Sequence, residues 1–168
     1  MDGPRTGHGL DAMRIHVCAV GRLRAGPEHT LIQDYLKRFD RTGRPLSLGP
    51  ASIIEVEDKK NTGKVGEAVL LQRSTPEGSV ICALDERGKT LSSPQFADLL
   101  ADMRDQGTRD LAFVIGGADG LAPDIRDQAQ FALSFGAMVW PHMLARVMLC
   151  EQLYRAASIL AGKPYHRV

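Results

Sequence analysis

The chain has 168 residues, of which 43% are hydrophobic and 24% are charged, and its formal net charge is +1. These values are ordinary for a soluble globular protein of one domain, and no apolar run is long enough to span a membrane. A net charge near zero does not indicate a nucleic-acid partner, so such a role depends on local basic clusters.

The N-terminal segment 1–12 is polar and rich in glycine, and it lacks the apolar core of a secretory signal. The first strand pattern starts directly after Met13. We therefore interpret 1–12 as a disordered leader or an upstream start, and we expect the folded domain at 13–168.

The three cysteines, Cys18, Cys82 and Cys150, are widely spaced and lie in apolar runs. An odd number without Cys-x-x-Cys spacing argues against a disulfide framework. The pattern predicts buried free thiols in a protein of the reducing cytoplasm.

Strand and helix patterns alternate along the rest of the chain. Predicted strands cover 14–21, 51–57, 79–84, 111–115 and 137–140. Predicted helices cover 28–39, 67–73, 93–104, 123–131 and 143–161. Ser92 or Ser93 is the expected N-cap of the third helix, while 58–64 and 85–89 are interpreted as a loop and a turn. This alternation predicts an α/β fold with a largely parallel sheet.

The last predicted helix is apolar on more than one face, although Arg146, Glu151 and Arg155 interrupt it. One face is expected to pack on the sheet. The surplus either packs on a second subunit, which we favour, or is buried between layers of the same chain.

An apolar run from Leu111 ends in Gly116-Gly117 and is followed by Ala118-Asp119-Gly120. This is not a dinucleotide fingerprint, because it follows the fourth strand, and it is not a Walker-type loop, because no Gly-Lys-Ser/Thr opens a helix. The glycines either form a tight turn alone or let the main chain contact a small ligand at the carboxyl end of a strand.

Six short motifs follow one another in order through the chain. They are Val20-Gly21, Phe113–Leu121, Ala132–Phe135, Pro141-His142 with Arg146-Val147, Glu151–Ala156, and Pro164–Arg167. Together they resemble the SPOUT (α/β-knot) methyltransferases, over about 13–168. The resemblance implies a parallel sheet whose C-terminal segment forms a deep trefoil knot, and a homodimer in which the neighbouring subunit completes each cofactor pocket.

The activity that the resemblance implies is methyl transfer from S-adenosylmethionine to N3 of a pseudouridine in large-subunit ribosomal RNA, on the assembled ribosome. Carried over by position, the expected cofactor contacts are Leu84, Gly116, Gly117, Phe135, Gly136, Ala137, Met138, Val139 and Trp140. Small residues suit main-chain contacts with a ligand, and apolar side chains suit an adenine.

The imide N3 is a poor nucleophile until it loses its proton, so a base or a cation is expected beside it. The candidates are His142 and His166 as the base and Arg155 and Arg167 as a cation that stabilises the anion or grips a phosphate, with Arg146 a weaker candidate of the same kind. Tyr165 is expected to stack on a nucleobase. Each has a structural alternative: loop orientation for His142, a frayed terminus for His166, surface ion pairing for the arginines and tail docking for Tyr165. The remaining histidines form no zinc-like cluster, so no metal is expected.

The run Lys59-Lys60 with Lys64 is interpreted either as an RNA-backbone contact or as a solvated loop. Two other functions remain open beside the leading one. The first is a SPOUT methyltransferase acting on tRNA, and the second is a non-catalytic ribosome-binding or assembly factor that retains the fold.

Overall fold

The computed structural model describes residues 12–166, with the side chain of His166 excepted. The strands are β1 (Met13–Val20), β2 (Leu48–Val56), β3 (Val80–Thr90), β4 (Asp110–Ile115) and β5 (Phe131–Ser134). The helices are α1 (Pro27–Gly43), α2 (Gly63–Ser74), α3 (Ser93–Asp105), α4 (Pro123–Gln128) and α5 (His142–Leu160), with 3-10 turns at Arg44–Leu46 and Pro164–His166. Residues 1–11 of the expected leader, the side chain of His166 and all of Arg167 lie outside the described residues.

The five strands form one sheet in the order β2-β1-β4-β3-β5, and every pairing is parallel. The predicted α/β fold with a parallel sheet is therefore confirmed. The central strand, β4, is a nearly continuous apolar run, and all six of its residues are buried, as expected where both faces of a parallel sheet are covered. The C-terminal knot stays a prediction.

Helices cover both faces of the sheet, and the side-chain alternation of the strands divides the core accordingly. On one face, Val17 and Phe113 pack in a cluster with residues of α1, α3 and α5. On the other face, Cys18 and Val114 pack with residues of α2 and α4, among them Leu71. The carboxyl ends of all five strands consequently meet at one edge, which we call the carboxyl edge.

All three cysteines are buried and free, as predicted. Burial raises the pKa of the Cys150 thiol to about 12 and raises those of Cys18 and Cys82 as well. The thiols therefore stay protonated near neutral pH and act as small apolar side chains of the core.

The predicted fifth strand at 137–140 is wrong. The segment is an irregular loop in which Met138 and Val139 are 74% and 85% exposed. The fifth strand is instead Phe131–Ser134, which starts at the last residue of the helix predicted at 123–131. The observed helix α4 ends earlier, at Gln128. A four-residue apolar strand has no periodicity of its own, so it was indistinguishable from a continuation of the helix.

Other boundaries also differ from the predictions, among them the start of β2, which is Leu48 rather than Ala51. Helix α1 continues to Gly43, and α2 begins at Gly63 rather than at Glu67, taking the end of the predicted loop into its first turn. The predicted turn at 85–89 is an irregularity within β3, whose pairing with β5 shifts register between Leu84 and Lys89. Helix α5 matches its prediction to within one residue at each end. No helix in the described part of the chain is both long enough and apolar enough to cross a membrane.

Candidate active site

A cleft of about 370 Å³ opens at the carboxyl edge, across the ends of three neighbouring strands. Its floor is apolar, with Leu84 from β3, Ile115 from β4 and Leu133 from β5. Clefts outside the carboxyl ends of parallel strands are where open α/β sheets usually bind ligands. The cleft is within the range of volumes that small-molecule sites occupy.

The loop after β4 forms one wall, and glycine is required there because the main chain folds back on itself. A Cβ built on Gly116 would lie 2.5 Å from the backbone carbon and oxygen of Gly120. Gly117 and Gly120 pair as an isolated bridge, with the Gly120 N–H donating to the Gly117 carbonyl at 3.0 Å. The two glycines of the motif therefore serve a turn, and the same turn exposes main-chain groups to the cleft.

The segment after β5 forms the opposite wall. Its turn is made by Gly136, which has a φ of 112° and whose N–H donates to the Ser134 hydroxyl at 3.1 Å. Eight of the nine predicted cofactor contacts line the cleft, namely Leu84, Gly116, Gly117, Phe135, Gly136, Met138, Val139 and Trp140. Ala137 is exposed and is absent from the lining.

The cleft is also lined by charged residues that the sequence analysis did not predict as site residues, among them Asp85 of β3 and Arg126 of α4. The Arg126 Nε lies 3.5 Å from the Asp85 carboxylate. Although Nε is buried, it has no hydrogen-bond partner among the described residues, so the pair is an electrostatic contact rather than a formed hydrogen bond. Its position could have indicated this role, since Asp85 directly follows the predicted strand 79–84 and parallel strands bind ligands at their carboxyl ends.

His142 lines the cleft at the start of α5, and burial together with the nearby charge of Arg146 lowers its pKa. A lower pKa leaves the imidazole neutral at pH 7, where it can accept a proton. Its Nε2 would be 4.0 Å from a Cβ built on Gly21, so the histidine sits against the turn that follows β1.

Arg146, one helical turn beyond His142, is 1% exposed and points into the protein. Its Nη1 donates to the Glu55 carboxylate at 2.8 Å, and its Nη2 donates to the carbonyls of Gly21 at 3.1 Å and Val20 at 3.3 Å. Arg146 is therefore not available to grip a phosphate. It joins α5 to the ends of β1 and β2 and so holds the turn beside His142.

Two of the predicted catalytic residues lie elsewhere, around Glu151 in the middle of α5. Arg155 donates to Glu151 Oε1 through Nε at 2.9 Å and Nη2 at 2.6 Å, and the Tyr165 hydroxyl donates to the same oxygen at 3.1 Å. The Tyr165 ring lies 4.5 Å from that of Tyr154 and beneath the Arg155 guanidinium. Burial and the Glu151 charge raise the pKa of Tyr165, so its hydroxyl stays protonated. Neither Arg155 nor Tyr165 lines the cleft of its own chain.

The cleft and this tail cluster (Glu151, Arg155 and Tyr165) are therefore separate in one chain. His142 and Glu151 are nine residues apart on one helix, which corresponds to roughly 13 Å along its axis. A second cavity of about 470 Å³ lies between them and shares Phe135 and Gly136 with the cleft and Glu151 with the tail cluster. Phe135 and Gly136 therefore line both cavities.

Residues 13–166 match the family model described as "Predicted SPOUT methyltransferase". A protein of Dinoroseobacter shibae named "Ribosomal RNA large subunit methyltransferase H" is 72% identical over 156 residues, which is 93% of this chain and all of the relative. A protein of the same name from Ruegeria pomeroyi is 68% identical over the same shares.

Among solved structures, a probable methylase family protein from Haemophilus influenzae aligns with a TM-score of 0.51 and 11% identity. The alignment covers 93% of this chain and 71% of that one. At this identity the likeness is one of fold alone.

Proposed function

The chain belongs to the SPOUT methyltransferase family, and from that premise we propose that it transfers a methyl group from S-adenosylmethionine to large-subunit ribosomal RNA. The target we propose is N3 of a pseudouridine on the assembled ribosome, in the cytoplasm. The observation that carries the proposal is the cleft at the carboxyl edge, lined by the positions expected to hold the cofactor, in a chain closely similar over its length to proteins named for this reaction class.

The residues of the cleft fit the cofactor. Leu84, Leu133 and Phe135 offer apolar surface for an adenine, and the glycine turns offer main-chain donors and acceptors for its edge. A Cβ built on Gly136 would meet nothing within 4 Å, so the wall is open where a ligand approaches the main chain. When bound, the cofactor supplies an electrophilic methyl group on its sulfonium.

The protein must position the two reactants and remove a proton. Methyl transfer is an in-line displacement in which the nucleophile attacks the methyl carbon, and this nucleophile must first be deprotonated. Neutral His142 lies on the cleft and is the described residue best placed to accept a proton there. The Arg155 guanidinium is suited to stabilise an anionic base or to hold a phosphate, once the tail cluster is brought beside a cleft.

A homodimer supplies that arrangement. The Tyr165 hydroxyl docks on Glu151 of its own chain, and neither Tyr165 nor Arg155 lines the cleft of that chain, so in the proposed dimer a second copy brings the tail cluster beside the cleft. The exposed apolar side chains include Leu31, Met138, Val139, Trp140 and Leu144, which is surface that association would bury. Light scattering should report twice the mass of one chain, and a monomer at micromolar concentration would contradict the arrangement.

The test of function uses purified chain, S-adenosylmethionine with a labelled methyl group, and ribosomes from a strain lacking the corresponding gene. We expect the label in large-subunit rRNA, and mass spectrometry of its nucleosides should identify N3-methylpseudouridine. Label in tRNA would favour the second enzymatic reading instead. Binding to ribosomes without any transfer would favour a non-catalytic assembly factor, and either result would overturn the proposal.

Replacing His166 or Arg167 by Ala should slow methyl transfer by at least about 100-fold, the usual contribution of a positioned acid, base or cation. The affinity for S-adenosylmethionine in calorimetry should stay within a few-fold of the starting chain, because the tail is proposed to act on the nucleobase. Lys163→Ala, an exposed change in the same terminal segment, is the control. Equal losses in transfer and cofactor binding would show that the tail is structural.

A further inference from the structure

The loop between β2 and α2 is held in one conformation by the side chain of Asp58. One carboxylate oxygen accepts a hydrogen bond from the Thr62 hydroxyl at 2.9 Å, and the other accepts from the Gly63 N–H at 3.0 Å. The Asn61 N–H donates to the Asp58 carbonyl at 3.2 Å, and Asn61 has a φ of 49°. Backbone hydrogen bonds, led by that of Thr62, lower the pKa of Asp58, so it remains an anion at neutral pH.

This loop presents three lysines to solvent. Lys59, Lys60 and Lys64 are exposed, and none of them makes an ion pair within residues 12–165. The two acids beside them are already engaged, since Glu57 lies 3.6 Å from Arg22 and Asp58 is bound by the loop itself. Among the described residues, therefore, no ion pair neutralises the positive charge of the three lysines.

The loop and the start of α2 also lie next to the cleft wall that is formed by the loop after β4. Lys64 lines the cleft, and Glu67, less than one helical turn further along α2, has a carboxylate oxygen 3.0 Å from where a Gly117 Cβ would be. Burial, followed by the charges of Asp58 and Asp119, raises the pKa of Glu67, and a hydrogen bond from the Gly117 backbone opposes that shift. A ligand held by the lysines would thus lie at the mouth of the cleft.

We infer that Lys59, Lys60 and Lys64 bind the phosphodiester backbone of the ribosomal RNA next to the methylated nucleotide. This inference rests on the proposed function and adds the surface through which the substrate is held. A fixed loop costs less conformational entropy on binding than a mobile one, and lysine ammonium groups bind phosphates as point charges. The Asp58 carboxylate already accepts the Gly63 N–H at the start of α2, so the phosphate contact falls to the lysines rather than to the helix N-terminus.

The decisive variant is the double substitution Lys59→Gln/Lys60→Gln, which removes two cations outside the cleft lining. Its matched control is Arg73→Gln/Arg109→Gln, an equal loss of charge at two exposed positions on the opposite edge of the sheet. For each chain, KM for ribosomes is measured between 50 and 200 mM salt, together with the affinity for S-adenosylmethionine.

For Lys59→Gln/Lys60→Gln we expect KM for ribosomes to rise by roughly tenfold and its logarithmic salt slope to fall by between about 1 and 2. Cofactor affinity and kcat should be unchanged, and the control should behave as the starting chain. An unchanged KM and salt slope, or an equal effect in the control, would overturn the inference while leaving the proposed function intact. A starting chain that does not methylate ribosomes at all would overturn both.

Crosslinking separates RNA from protein as the partner of the loop. A photoreactive amino acid in place of Lys60, in an otherwise unchanged chain, should crosslink to large-subunit rRNA in the presence of ribosomes. Crosslinks confined to ribosomal proteins would show that the lysines dock on protein, which contradicts the inference. The same residue placed at Arg109 gives the background.

Discussion

Gly116→Ala is expected to reduce the affinity for S-adenosylmethionine by about 10- to 100-fold, because the new methyl group would overlap backbone rather than a movable side chain. The added Cβ would lie 2.5 Å from the backbone of Gly120 and 2.9 Å from the N of Leu121. Overpacking of this kind costs about 1–3 kcal/mol, and each 1.4 kcal/mol lost from binding is about tenfold in affinity. Calorimetric titration of the cofactor measures the loss directly.

The control for this change is Gly78→Ala, in the turn before β3. Gly78 has a φ of 81°, yet a Cβ built on it meets nothing within 4 Å. The substitution therefore strains the backbone and lowers stability by a modest amount without displacing a neighbour, and cofactor affinity should be unchanged. If Gly116→Ala bound the cofactor as well as Gly78→Ala does, the loop after β4 would not be the wall of the cofactor site.

The sequence was most informative where one residue type has one physical use. A run of apolar residues ending in Gly116-Gly117 predicted both the central strand β4 and the close approach that follows it. Ser92 or Ser93 was predicted as the N-cap of α3, and Ser92 is the one that caps it. Its hydroxyl accepts the Gln95 N–H at 3.2 Å, while the Gln95 side chain accepts the Ser92 N–H at 2.9 Å. The Ser-x-x-Gln pattern at 92–95 is the sequence signature of this reciprocal capping box.

Prediction failed where tertiary partners, rather than local pattern, decide the structure. Met138, Val139 and Trp140 have the composition of a strand, but none of the described strands pairs with them and they remain exposed. Arg146 was ranked with the phosphate-binding candidates because arginine is usually a surface residue. Its actual partners, Glu55 and the carbonyls at the end of β1, are about 90 to 125 positions away in the chain, and no local signal points to them.

The tail shows the same limit at the level of function. Tyr165 and Arg155 were expected as catalytic residues, and the structure brings them together on Glu151 rather than on the cleft. A resemblance carries over which residues matter, but one chain shows only where they dock within that chain. The open question is whether the tail acts on the cleft of its own chain or on that of the partner chain, and mixed dimers can answer it. We expect a dimer of one Gly116→Ala chain and one His166→Ala chain to be active in one of its two sites, where the intact cleft of one chain meets the intact tail of the other.

Arg146→Met is expected to lower the free energy of unfolding by about 3 kcal/mol, the lower end of the range for breaking a buried ion pair. The substitution removes the Glu55 contact and leaves the carbonyls of Gly21 and Val20 without that donor. The lower end applies because the Glu55 side chain is 27% exposed and water can solvate part of its charge. Denaturant unfolding at matched protein concentration measures the change, since a dimer makes stability concentration-dependent.

Arg38→Met is the control for this prediction, because it removes the arginine of an exposed ion pair instead of a buried one. Arg38 also pairs with an acid, Asp34, but both side chains are about half exposed, at 47% and 50%. A pair of that kind on a helix surface contributes about 0.3–0.5 kcal/mol, so the two substitutions should differ several-fold in their effect. Glu55→Gln combined with Arg146→Met should lower the free energy of unfolding by less than the sum of the single changes, because each single change leaves a charged or polar partner behind.

Equal destabilisation by Arg146→Met and Arg38→Met would mean that the packing of α5 against the ends of β1 and β2 does not depend on the buried arginine. The position of His142 would then need another explanation.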